Sequence, residues 1–168
     1  SIVSQNEKFK EDFPREYETW SMTEDTSFVS QYNGSREVDI LEILISAVGT
    51  TDPISNNRDA ALLHIARTYR PEQIVLVYSE EMLVKRDLVE KALCSIEDYH
   101  PKVVIESIIL KNDEVYLFDK MYEVMGQIIE KYSGTDHQLI LNLSSGTPQI
   151  ISALFALNRI NDYNTQAI

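Results

Sequence analysis

Two short stretches of the chain concentrate small, hydroxylic and amide side chains where an apolar run gives way to a helix. The richer one is Asn142, Ser144, Ser145, Gly146, Thr147, Pro148 and Gln149. Gly146 permits a tight turn or a close backbone approach, and Pro148 suits the first position of a helix. A helix beginning there leaves N–H donors and a partial positive charge facing outward, which suits a phosphate. Ser145 and Thr147 add hydroxyls, although either can simply cap the helix. The second stretch is Gly49, Thr50, Thr51 and Asp52. Asp52-Pro53 is an ordinary turn pair, so Asp52 can do no more than shape its loop. Asn56 and Asn57 can cap the following helix or read a base edge. Arg58 can reach a phosphate from that helix start, or sit solvated.

Other chemistries are missing. There is no GxxxxGK[ST] and no GxGxxG, hence neither a P-loop nor a dinucleotide fingerprint. No HExxH or His/Cys cluster is present, so no metal and no cofactor are expected. Cys94 is the single cysteine, which rules out an internal disulfide and a CxxC zinc pair. Neither loop carries Lys, Arg or His. Recognition there would rest on neutral donors, and no strong base is expected beside them. Arg58 and His64 do fall at an R-x5-H spacing, but within a helix packed on a sheet this reads as coincidence.

The elements that would position these loops repeat along the chain. ILISAV (43–48), IVLVYS (74–79), VVIESIIL (103–110) and QLILNLSS (138–145) are strand-like runs. Helical patterns over about 58–69, 80–99, 113–132 and 148–161 separate them, and TQAI reads as a fifth strand cut short. The expected helix stripes include Leu62, Leu63, Ala66 and Tyr69, then Met82, Val89, Leu93 and Ile96, then Phe118, Met121, Met125 and Ile129. Near-continuous Val/Ile/Leu strands alternating with helices predict a doubly wound α/β fold, Rossmann-like, with a mainly parallel sheet. Glu106 and Ser107 suit an edge strand, which favours the spatial order 3-2-1-4. The switch point then lies between strands 1 and 4, and both polar loops leave the sheet there.

Composition adds limits. The 168 residues are 43% hydrophobic with a formal charge of −12, which speaks against a surface for duplex DNA. No run suits a membrane span, no secretory signal opens the chain, and the cysteine usage fits a cytoplasmic protein. Residues 1–42 hold four Lys or Arg against ten Asp or Glu and show no sustained period. They read as a short N-terminal appendage, with short helices near 14–20 and 24–32 and a turn at 33–35, joined to a domain spanning 43–168.

Both parts resemble known families. NEKFKEDFPREYETWSMTEDTSFVSQYNGSREVDILE resembles the N-terminal region of ammonia-forming cytochrome c nitrite reductases, through FPREYETW and YNGS. No haem-attachment cysteine pair follows, so no haem chemistry is carried over and a fused chain is implied. ILISAVGTTDPISN with LILNLSSGTPQIISAL resembles the CARF (CRISPR-associated Rossmann fold) sensor domain of the Csm-type accessory ribonucleases of type III CRISPR systems. In that family two copies pair and bind a cyclic oligoadenylate ring over the strand ends, activating a C-terminal HEPN ribonuclease domain in antiviral defence. The resemblance implies ligand contacts from Gly49, Thr50 and Thr51 and from Ser144, Ser145, Gly146, Thr147 and Gln149, with Asn142 in the same site. The hexameric ring is favoured over the tetramer by that analogy.

The expectations are then a homodimeric cyclic-oligoadenylate sensor, with the HEPN domain missing after Ile168. Helix 148–161, apolar nearly all round, is the expected dimer contact. One alternative is a metal-independent ring nuclease in which Thr51 and Thr147 orient a ribose hydroxyl. Another is a nucleotide-binding regulatory domain with a protein or DNA partner. Substitution of Gly146 or Thr147 is expected to weaken binding more than stability.

Overall fold

The computed structural model describes residues 39–108, 114–160 and 163–168. The helices and turn expected within 1–38 lie outside them, as do the expected ends of strand 103–110 and helix 148–161. Strand β1 (Leu41–Ala47) is flanked by β4 (Gln73–Ser79) and β6 (His137–Leu141), and every pairing in this sheet is parallel. With β5 (Lys102–Ile108) and β7 (Thr165–Ala167) at the edges, the order is β5-β4-β1-β6-β7. This is the expected 3-2-1-4 arrangement, and TQAI supplies the fifth strand beside β6.

Side-chain alternation divides the core into two layers. Ile43, Ile45 and Ala47 of β1 share a buried cluster with Met121, Met125 and Ile129 of α3 (Phe118–Tyr132) and Leu154 of α4 (Pro148–Ile160). Leu44 and Val48 point the other way, onto Leu62, Leu63 and Ala66 of α1 (Ala61–Tyr69) and Val89 and Leu93 of α2 (Arg86–Cys94). Helices thus cover both faces, which is why the central strands are apolar on successive residues. Each fully buried aliphatic side chain contributes about 1.5–3 kcal/mol. Edge strand β5 carries Glu106, whose carboxylate accepts hydrogen bonds from Lys131 Nζ and Tyr132 Oη, both 2.5 Å away on α3.

Several helix starts differ from the expectation. α1 begins at Ala61, because residues 54–59 form a small hairpin, β2 (Ile54–Ser55) with β3 (Arg58–Asp59). Asn56 and Asn57 both take left-handed backbone, φ 52° and 59°, as a two-residue hairpin turn requires. They form the hairpin turn and do not cap α1, whose N-cap position is Ala60. Arg58 lies on this hairpin and His64 on α1, so the R-x5-H pair does not share one helix. The second helical stretch is split into a 3₁₀ turn (Glu81–Lys85) and α2, and a 3₁₀ turn (Glu114–Tyr116) precedes α3. Tyr69 and Phe118, expected in the core stripes, are exposed.

Candidate ligand-binding site at the sheet switch point

β1 and β6 are adjacent parallel strands, and the loops leaving their C-terminal ends meet. Gly146 has φ +107°, and a Cβ there would lie 3.0 Å from Ala47 Cβ and 3.4 Å from Ile150 Cγ2. A Cβ on Gly49 would lie 3.1 Å from the Gly146 nitrogen. Glycine at both positions therefore brings two backbones together at the crevice where open α/β sheets bind ligands.

The first loop is held from below. Asp52 is 1% exposed. Its Oδ2 accepts from Gly49 N at 2.9 Å and its Oδ1 from Leu62 N at 3.2 Å. It therefore tightens the turn and caps α1, whose own N-cap position is Ala60. Lys85 reaches in from the 3₁₀ turn after β4, and its Nζ donates to the carbonyls of Gly49 (3.4 Å), Thr50 and Asp52 (2.9 Å). Thr50 and Thr51 remain exposed at the loop surface. At the end of β4, burial first and then the Glu90 carboxylate push the Tyr78 phenol up to about 12.

In the second loop, Asn142 is fully buried. Its Nδ2 donates to Ser46 Oγ at 2.9 Å, and its Oδ1 accepts from Ser144 N at 2.8 Å. Thr147 Oγ1 donates to the Val115 carbonyl at 3.0 Å and accepts from Ile150 N at 3.4 Å, so Thr147 is the cap of α4. Ser144 is exposed. Ser145 Oγ and Gln149 Oε1 are buried with no hydrogen-bond partner among the described residues. A buried polar atom without a partner costs about 1–3 kcal/mol, so each such orphan calls for a reason, and a ligand-facing role is one.

The nine expected site residues lie on or beside the two adjoining loops, in two roles. Asn142 and Thr147 spend their side chains on the fold. Gly49, Thr50, Thr51, Ser144, Ser145, Gly146 and Gln149 supply surface, backbone or unpartnered groups. One expectation is corrected outright: a cation does stand beside the loops, because Lys85 lies directly under the first. Sequence reading missed it since it comes from the neighbouring strand's loop. The available signal was the strand order itself, which sets the segment after β4 beside the loop after β1.

The domain of Enterococcus italicus Csm6 bound to cyclic hexa-2′-fluoro-hexa-dAMP superimposes with a TM-score of 0.55 at 28% identity, covering 76% of this chain and 32% of that one. The CRISPR system endoribonuclease Csm6 of Streptococcus thermophilus is 77% identical over 128 residues, 76% of this chain and 30% of that protein. This is a CARF-like sensor domain, homologous to Csm6-type CRISPR accessory ribonucleases. The chain carrying the CARF-like domain spans about a third of the length of those relatives. A shorter similarity joins 41 residues, 24% of this chain, to cytochrome c-552 of Parabacteroides distasonis at 56% identity and 8% of that protein. No family model matches the sequence.

Proposed function

We propose that this CARF-like domain senses cyclic oligoadenylate, with the hexamer favoured, and that in the intact protein ring binding controls a ribonuclease in antiviral defence. The observation that carries the reading is the meeting of Gly49 and Gly146 at the switch point, with exposed Thr50 and Thr51 on one side and unpartnered Ser145 Oγ on the other. The homologous Csm6 of known structure was captured with a cyclic hexanucleotide. Gly49, Thr50 and Thr51 would meet the ring from the first loop; Ser144, Ser145, Gly146 and Gln149 would meet it from the second. Asn142, Asp52 and Thr147 hold the loops in place. Calorimetry against cyclic tetra- and hexa-adenylate tests this, with one hexamer per two chains expected. No heat with either ring at high protein concentration would reject it.

A homodimer belongs to the same proposal. Phe155 of α4 is 52% exposed, and Tyr116, Leu117 and Phe118, at the entry to the neighbouring α3, are also exposed. An apolar surface of this kind suits a second copy. A monomer at all concentrations in light scattering would sink the idea. Residues 1–42 are assigned a separate origin, supported by the 41-residue similarity to cytochrome c-552. Deleting residues 1–38 should leave ring affinity unchanged.

Ring cleavage is the second reading, favoured by the exposed hydroxyl of Thr51. It would have to proceed without Thr147, whose hydroxyl is committed to Val115 and to the α4 cap. A ribose 2′-hydroxyl would attack the adjacent phosphorus as the next 5′-oxygen leaves, giving a cyclic 2′,3′-phosphate end. Mass analysis of the ring after incubation with the chain in EDTA decides it, since intact ligand leaves a pure sensor.

A further inference from the structure

Lys85 touches only backbone carbonyls at the site: those of Gly49, Thr50 and Asp52. An ammonium has three N–H donors, and these three oxygens take them. In a trans peptide the carbonyl and the next residue's N–H point in opposite directions. The only cis bond among the described residues is Asp52-Pro53, so the Gly49–Thr50 and Thr50–Thr51 peptides are trans. Gathering the Gly49 and Thr50 carbonyls onto Nζ therefore turns the N–H groups of Thr50 and Thr51 away from it. The Gly49 N–H does not join them, because Asp52 Oδ2 takes it. Two successive amides on two exposed residues are thus turned to the side away from Lys85, and successive amides so aligned bind anions.

We propose that Lys85 is a positioning residue that aims the Thr50 and Thr51 amides at a ligand phosphate. This rests on reading the switch point as the nucleotide-sensing site. The buried Asp52 carboxylate holds the same loop from its Gly49 N–H, so the loop carries an anion as well as the Lys85 cation. The contribution of Lys85 is then direction more than field, which explains how an acidic chain meets a phosphate without a cation on the loop itself.

The test uses the full 168-residue chain and cyclic hexa-adenylate. Lys85→Met should lower ring affinity about tenfold or more, while Lys85→Arg, which keeps donors at that place, should retain most of it. Lys91→Met removes the same charge from the exposed face of α2 and should leave affinity within about twofold. In the unmodified chain, the Thr50 and Thr51 amide NMR signals should be among those shifted most by the ring, a readout that needs no variant to fold. Wild-type affinity in a folded Lys85→Met chain, or unmoved Thr50 and Thr51 amides in a ring-saturated chain, would overturn the proposal. Failure of the unmodified chain to bind the ring would instead reject the sensing reading on which it rests.

Discussion

The backbone nitrogen of Gly146 lies 3.1 Å from where Gly49 would carry a Cβ. The two switch-point loops therefore meet backbone to backbone, with no side chain between them. Gly146 is doubly constrained, since its φ of +107° is unfavourable for any L side chain and its Cβ would press on Ala47 at 3.0 Å. The glycines belong to the fold as much as to the site. Replacing Gly146, expected to weaken binding more than stability, therefore carries a stability cost of its own.

Gly146→Ala should accordingly destabilise the domain by about 1–3 kcal/mol from backbone strain alone. Gly49→Ala should cost less, because φ there is not strained and only the 3.1 Å contact must relax. Urea unfolding of both variants checks the order. A Gly146→Ala chain as stable as wild type would show that the turn can adopt another conformation.

Asp52→Asn should cost about 2–3 kcal/mol. Both carboxylate oxygens accept backbone N–H groups, from Gly49 and Leu62. An amide offers one oxygen and one NH₂, so one N–H would face a donor, whichever way the group is flipped. Thermal unfolding measures the loss, and slower-exchanging amides at the start of α1 should become faster. No change in either would mean that Asp52 only fills space.

How far the sequence carried the fold follows from particular residues. Glu106 and Ser107 marked β5 as an edge, and the Val/Ile/Leu runs marked the strands covered on both faces. Those features are local and survive folding unchanged. The start of α1 was not legible, because Asn56 and Asn57 suit a cap and a hairpin turn equally well until the strands beside them pair. Capping by Asp52 crosses ten residues to Leu62, and Lys85 crosses 33 to Asp52. Such contacts depend on which loops the sheet order sets side by side, not on spacing along the chain. The roles of Ser145 and Thr147 divided for a similar reason: Thr147 is drawn into capping by Val115, which arrives from another element.

The Glu106 carboxyl should report on acid stability. Partial burial would raise its pKa, but hydrogen bonds from Lys131 and Tyr132 and the Lys131 charge outweigh that and lower it. A group with a lowered folded-state pKa adds stability that is fully present above its unfolded value, about 4.3. That stability is lost as pH falls through the folded value. Glu106→Gln should therefore lose stability at pH 7 by about 1 kcal/mol and show a shallower decline below about pH 4.3. Parallel pH profiles for wild type and variant would reject the assignment.

Ser145→Ala separates site from scaffold. The Ser145 hydroxyl is 4% exposed as a residue, and its oxygen has no partner among the described residues. It does not cap α4, because Thr147 does. Removing an unpaired buried hydroxyl relieves a desolvation penalty, so stability should hold or rise, by up to about 1 kcal/mol. Thr147→Ala, by contrast, should lose about 1 kcal/mol as a cap is removed. Ring affinity should move the other way at Ser145, falling about tenfold if its hydroxyl gains a phosphate or ribose partner on binding. Chemical denaturation and calorimetry on the same preparations give both numbers. A Ser145→Ala chain that loses stability but keeps its affinity would place this hydroxyl in the scaffold and move the ligand contacts toward Ser144 and the Thr50–Thr51 loop.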